Sequence, residues 1–121
     1  MRLHYAAAIL VLAAPLAACS NAAEDSAVAF VKAADEGRTA EALDHLDPTL
    51  RQMGGPKLAA GIGSAQKKTA AKGELKGVSA DNSKVDGDYA TVVVRETFTK
   101  SPDQINTMKM RKVDGTWFVT M

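Results

Sequence analysis

The sequence predicts an α+β domain: N-terminal helices packed on a curved antiparallel sheet of three to four strands, cone-like in outline. Three observations carry this. Apolar residues recur at helical spacing before Gly73 and alternate with polar ones after it. Caps and glycine stops punctuate the first half. Asp-Gly pairs punctuate the second. Helices segregated from strands argue for α+β. The sheet's apolar face then packs on the helices and its other face stays partly wet. A length of 121 residues allows one small domain.

The first helix is expected in "EDSAVAFVKAADEGR". Val28, Phe30, Val31 and Ala34 have helical spacing, Glu24 and Asp25 suit the positive end of the helix dipole, and Gly37 is a natural stop. "TAEALDHLD" follows, with Thr39 as candidate cap and Leu43 and Leu46 on one face. Asp47-Pro48 reads as a new cap with proline in the first turn, and Gly54-Gly55 ends that short piece. Pro56 opens a further helix with Leu58, Ile62 and Ala65 inward. Gly61 and Gly63 each weaken it by about 1 kcal/mol against alanine, and Gly73 closes it.

In the second half, "GELKGVS" is a weak strand and "DYATVVVRETFT" a strong one, rich in β-branched residues. Val92, Val94 and Phe98 share one face; Tyr89, Val93 and Arg95 share the other. "INTMKMRKV" alternates with Met108 and Met110 on one side and Lys109 and Arg111 opposite. "TWFVTM" closes the chain. Asp86-Gly87 and Asp114-Gly115 sit where two-residue hairpin turns are expected, inside the near-repeats "KVDGDYATV" and "KVDGTWFVT". A shared turn chemistry accounts for that repeat more simply than duplication.

The N-terminus carries an address. Arg2 is followed by an uncharged run from Ala6 to Ala18. The run is shorter than the ~20 residues a spanning helix needs and fits the apolar region of a secretory signal. It ends Leu16-Ala17-Ala18-Cys19, holding the single cysteine of the chain. That tetrapeptide resembles the lipobox of bacterial lipoproteins. The resemblance implies a signal peptide over 1–18, cut before Cys19. It also implies a diacylglyceryl group on the Cys19 thiol and membrane contact through acyl chains. Residues 19–23 then form a lipidated tether and 24–121 a single domain. Ser20, where aspartate commonly marks inner-membrane retention, implies the outer membrane facing the periplasm. One cysteine makes no internal disulfide. Without Arg2, acidic and basic side chains are equal in number, so net charge steers no partner.

Gly87, Asp88, Ala90 and Val92, then Asp114, Gly115 and Trp117, resemble the ending of small envelope lipoproteins of the nuclear-transport-factor-2-like (NTF2-like) superfamily. The resemblance covers residues 24–121 and implies a cone-shaped α+β domain. Some members are isomerases or dehydratases, with Asp, His or Tyr inside the cone.

The residues themselves favour a small binding or protein-interaction module without catalysis. The alternative is a cone-fold enzyme of isomerase or dehydratase type acting on a hydrophobic small molecule. His45 reads as a surface histidine beside Asp44 and Asp47, Tyr89 as a strand-end aromatic, and Ser64 lacks a nucleophile elbow. Asp81, Asp86 and Asp88 do not fit a calcium loop, because Lys84 and Val93 fall at ligand positions, and Cys19 has no zinc partners. No cofactor is expected, and the envelope address argues against nucleic acid. Lys57, Lys67, Lys68, Lys72 and Lys76 read as a solvated face, or else as a basic stripe on lipid headgroups. Phe98, Met108, Met110 and Trp117 either line a pocket for a small apolar ligand or fill the core.

Overall fold

The computed structural model describes residues 21–121. The expected cleavage and lipidation residues, Leu16 to Cys19, lie outside the described residues. The chain folds as four helices on a curved four-stranded antiparallel sheet, in the order α1 (Ala22–Asp35), α2 (Thr39–Asp44), α3 (Pro48–Gly54), α4 (Pro56–Ala70), β1 (Leu75–Asp86), β2 (Tyr89–Phe98), β3 (Gln104–Val113) and β4 (Thr116–Thr120). Spatial order in the sheet is β1-β2-β3-β4, a simple meander. The expected fold class holds.

Helix α1 begins at Ala22, inside the stretch read as tether. Asn21 caps it, its side chain accepting from the Glu24 N–H. The buried residues are Ala23, Ala27, Val31, Ala33 and Ala34; Val31 and Ala34 are inward as expected, whereas Val28 and Phe30 are half-buried. Small side chains let the helix axis approach the sheet closely. The helix ends as Gly37 predicts. Gly37 has φ 79°, and the Arg38 N–H returns to the Ala33 carbonyl at 2.8 Å.

That closure overturns one expected cap. Arg38, not Thr39, is the N-cap of α2, and no side chain bonds the helix start. Arg38 instead reaches Glu36 and Glu41 on the surface. Asp47 caps α3 as expected, accepting from the Thr49 N–H at 2.9 Å with Pro48 in the first turn. In α4, Ile62 is buried and Leu58 packs on the core, but Ala65 is exposed.

β1 is longer than expected. It runs through "ADNSKVD" to Asp86, with register shifts at Leu75/Gly77 and Ala80/Asn82. Asp81 is therefore a strand residue, not a turn acid; its carboxylate holds Arg95, which also bonds Asp103. On β2 the packed face is Ala90, Val92, Val94, Glu96 and Phe98. Met110 continues that face on β3, and Trp117 and Val119 on β4, while the helices close it from the other side. Beyond β4, Leu46 bridges Val119 in parallel. Val119 N–H donates to the His45 carbonyl, and Asp47 N–H donates to the Val119 carbonyl.

Candidate functional site

The sheet's packed face is apolar except at one end. There Glu96 occupies a core position and is only 3% exposed. Its surroundings come from α1, α4, β3 and the turn after α4. α1 brings Asp35, whose Oδ1 accepts from the Thr69 hydroxyl of α4 at 2.9 Å. β3 brings Asn106, which donates to Glu96 Oε1 at 2.5 Å. Lys72, just past α4, donates to Gln104 and lies 5.7 Å from the Phe98 ring centre.

These groups form the polar end of an open cleft of about 320 Å³ between α1, α4 and the β2–β3 pair. Phe30, Val31 and Ala34 of α1, Ala65 of α4 and Met108 of β3 form its apolar walls. Ligand sites commonly have this form: a mostly apolar hollow with a few convergent polar groups. A second hollow of about 350 Å³, near the β1–β2 hairpin, is lined by Tyr89, Lys109 and Met121 among others. Its lining includes no buried ionisable group, so the Glu96 cleft is the stronger candidate.

The carboxyl pair sets the electrostatics. Burial pushes the Glu96 carboxyl up to about 8, and the facing Asp35 adds to the rise. Lys72 and Asn106 oppose it. Asp35 Oδ2 is buried without a donor, and a proton on Glu96 supplies one. At neutral pH Glu96 is thus mostly protonated, and the end of the cleft holds a donor and acceptors together.

Asp47 forms a contrasting site. It is 2% exposed, and burial alone would raise its pKa. The Thr49 N–H, Arg111 and Thr120 outweigh burial and hold the carboxyl below the usual range. Its carboxylate oxygens are engaged by Thr49, Arg111 and Thr120, which makes it a structural join between α3 and the sheet.

The sequence-predicted residues separate accordingly. Met108 lines the cleft. Phe98, Met110 and Trp117 are buried; Met110 also touches the floor of the second hollow, and Trp117 lies under the Lys112 ammonium, 5.8 Å from its ring centre. His45 is half-buried at the C-cap of α2, and Tyr89 is exposed at a strand start. Of the basic stripe, Lys68 and Lys72 border the cleft. Glu96 and Asp35 were not singled out in the sequence. A charged residue in register between Val94 and Phe98 was the available signal for Glu96. Among the described residues, no group of three or more His, Cys, Asp or Glu is placed to hold a metal ion. No described helix is long and apolar enough to cross a membrane.

No protein-family model matches the chain, and no curated protein does. Solved structures do. A Campylobacter jejuni protein described as an NTF2-like transpeptidase superposes with a TM-score of 0.72 at 19% identity, over 80% of this chain and 95% of that one. A SEC-C motif-containing protein from Rhodopseudomonas palustris matches with a TM-score of 0.53 at 18% identity, over 88% of this chain and 82% of that one. A Kribbella flavida protein matches with a TM-score of 0.51 at 18% identity, over 84% and 85%. The fold is NTF2-like.

Proposed function

We propose that this NTF2-like domain is a binding module of the bacterial envelope, lipid-anchored through Cys19 at the outer membrane and facing the periplasm. Its cleft takes a small molecule with an apolar body and a hydrogen-bonding end, and it carries out no reaction on it. The observation that supports this is the cleft itself: apolar walls leading to a buried carboxyl pair flanked by Asn106 and Lys72.

The lining also favours binding over group transfer. The Campylobacter jejuni protein is described as a transpeptidase, and covalent transfer needs an activated nucleophile. The cleft is lined by neither serine nor cysteine, and the Thr69 hydroxyl is donated to Asp35. A second reading, a cone-fold isomerase or dehydratase, draws support from Glu96 alone, because a carboxyl that titrates near neutral pH suits general acid–base work. That reading requires deuterium exchange beside the carbonyl of a bound ketone, lost in Glu96→Gln.

The binding reading is tested with an anilinonaphthalene dye. The dye should bind saturably, brighten, and raise the melting temperature by linkage. Ala65→Phe fills the cleft wall from an exposed helix position. It should weaken dye binding at least tenfold and leave the unliganded melting temperature within about 2 °C, since exposed substitutions change stability little. Unchanged dye affinity in that variant would sink the assignment.

A further inference from the structure

We infer that the short link to the bilayer holds the hairpin end of the domain against the lipid headgroups and turns the polar end of the cleft towards the aqueous compartment, so that the cleft fills from water rather than from lipid. This rests on the proposed anchor at Cys19 and extends it to the posture of the anchored domain.

Helix α1 starts at Ala22, three residues after Cys19. An extended chain covers at most about 3.6 Å per residue, so the helix start lies within about 11 Å of the acylated residue. The helix start is fastened to the sheet. Asn21 Nδ2 donates to Ser83 Oγ at 2.9 Å, and the Ser83 hydroxyl donates to Glu24. Ser83 pairs with Val92, close to the β1–β2 hairpin. Tyr89 pairs with Arg111, which brings the β3–β4 hairpin to the same end. Both hairpins and the helix start therefore share one end of the domain.

The cleft's polar groups share the other. From Ala22, α1 runs for 14 residues to Asp35, a distance of about 20 Å at 1.5 Å per residue. β2 runs the same way, from its pairing with Ser83 to Glu96 beside Asp35. Lys72 and Ser101 meet at that end, the Ser101 hydroxyl donating to the Lys72 carbonyl at 3.0 Å. Lys68 and Lys72 border the cleft there, so this part of the basic stripe faces water and not headgroups. The cleft's ligand is then a water-borne small molecule with an apolar body, not a membrane lipid lifted from the leaflet below.

The test uses the full lipidated chain in vesicles of phosphatidylethanolamine and phosphatidylglycerol that carry a headgroup nitroxide. Acylation consumes the Cys19 thiol, and the chain has no other cysteine. A fluorophore on Asp114→Cys or Lys68→Cys therefore reports one place. Quenching at 114 should exceed that at 68 several-fold. Equal quenching at both, or stronger quenching at 68 as a headgroup-facing lysine stripe requires, overturns the orientation while the anchor stands. Failure of the native-sequence chain, produced where lipoproteins are processed, to sediment with vesicles better than Cys19→Ser overturns the anchor, and the orientation with it.

Discussion

Glu96 lies where alternation along β2 assigns an apolar residue, with Val92 and Val94 before it and Phe98 after it on one face. Those three were legible from period-2 spacing, and the glutamate among them marks the site by the same arithmetic. Its partner was not legible. Asp35 reaches Glu96 only because α1 crosses the sheet, a tertiary fact with no local signature. The pair makes stability depend on pH with a definite sign. Glu96 holds its proton more tightly when folded, so the folded state binds more protons between about pH 4.5 and 8. The resulting stabilisation is complete below the unfolded pKa and is lost as pH rises through the folded one. The other charged side chains bordering the cleft are Lys68 and Lys72. Urea midpoints should fall from about pH 5 to about pH 8.5 in the native chain. Glu96→Gln should flatten that fall, because glutamine can still donate to Asp35 but cannot ionise. Parallel pH profiles in the two proteins would remove the buried proton from the account.

At the scale of elements, the two "KVDG" stretches fold differently. In the second, Val113 pairs with Thr116, and the turn is Asp114–Gly115, both with positive φ, as a type I′ turn requires. In the first, Asp86 pairs with Tyr89, and the turn is Gly87–Asp88, with positive φ at the glycine but not at Asp88, the type II′ pattern. The motif predicts a hairpin in both places but not its register, which the pairing of the long flanking strands settles. β1 was under-read for a related reason. "ADNSKVD" has little intrinsic strand preference, and its extension is sustained by pairing with β2. Most helix boundaries were more legible because Gly37, Asp47 and Gly55 act locally, whereas the Asn21 cap lies inside the expected tether. Two glycine substitutions separate conformational need from mere tolerance. Gly115→Val forces a β-branched residue to φ 82° and should cost about 1–3 kcal/mol. Gly61→Ala lies within α4 with no atom near the added methyl group, and should add about 0.5–1 kcal/mol. Calorimetry should move the two melting temperatures in opposite directions; the same direction in both would contradict this backbone assignment.

At the scale of the molecule, the segregation of helices from strands was readable from the change of period near Gly73, whereas the strand order comes from the folded sheet. The cone fold seen in the solved structures agrees. The cleft was not readable, because it is the space left between three layers of side chains whose register only the folded chain sets. The parallel bridge at Leu46–Val119 belongs to the same level. It fastens the middle of the sequence to its end, with Asp47 adding bonds to Arg111 and Thr120 across the join. The chain therefore acts as a loop closed by its last strand, and the α2–α3 corner cannot open while β4 stays in the sheet. In amide hydrogen exchange the Asp47 and Val119 amides should share one slow rate set by global unfolding, slower than those of exposed α3. A nascent chain that has not yet delivered β4 would likewise leave its helical half unlocked, so this fold is completed only once Thr116–Thr120 joins the sheet.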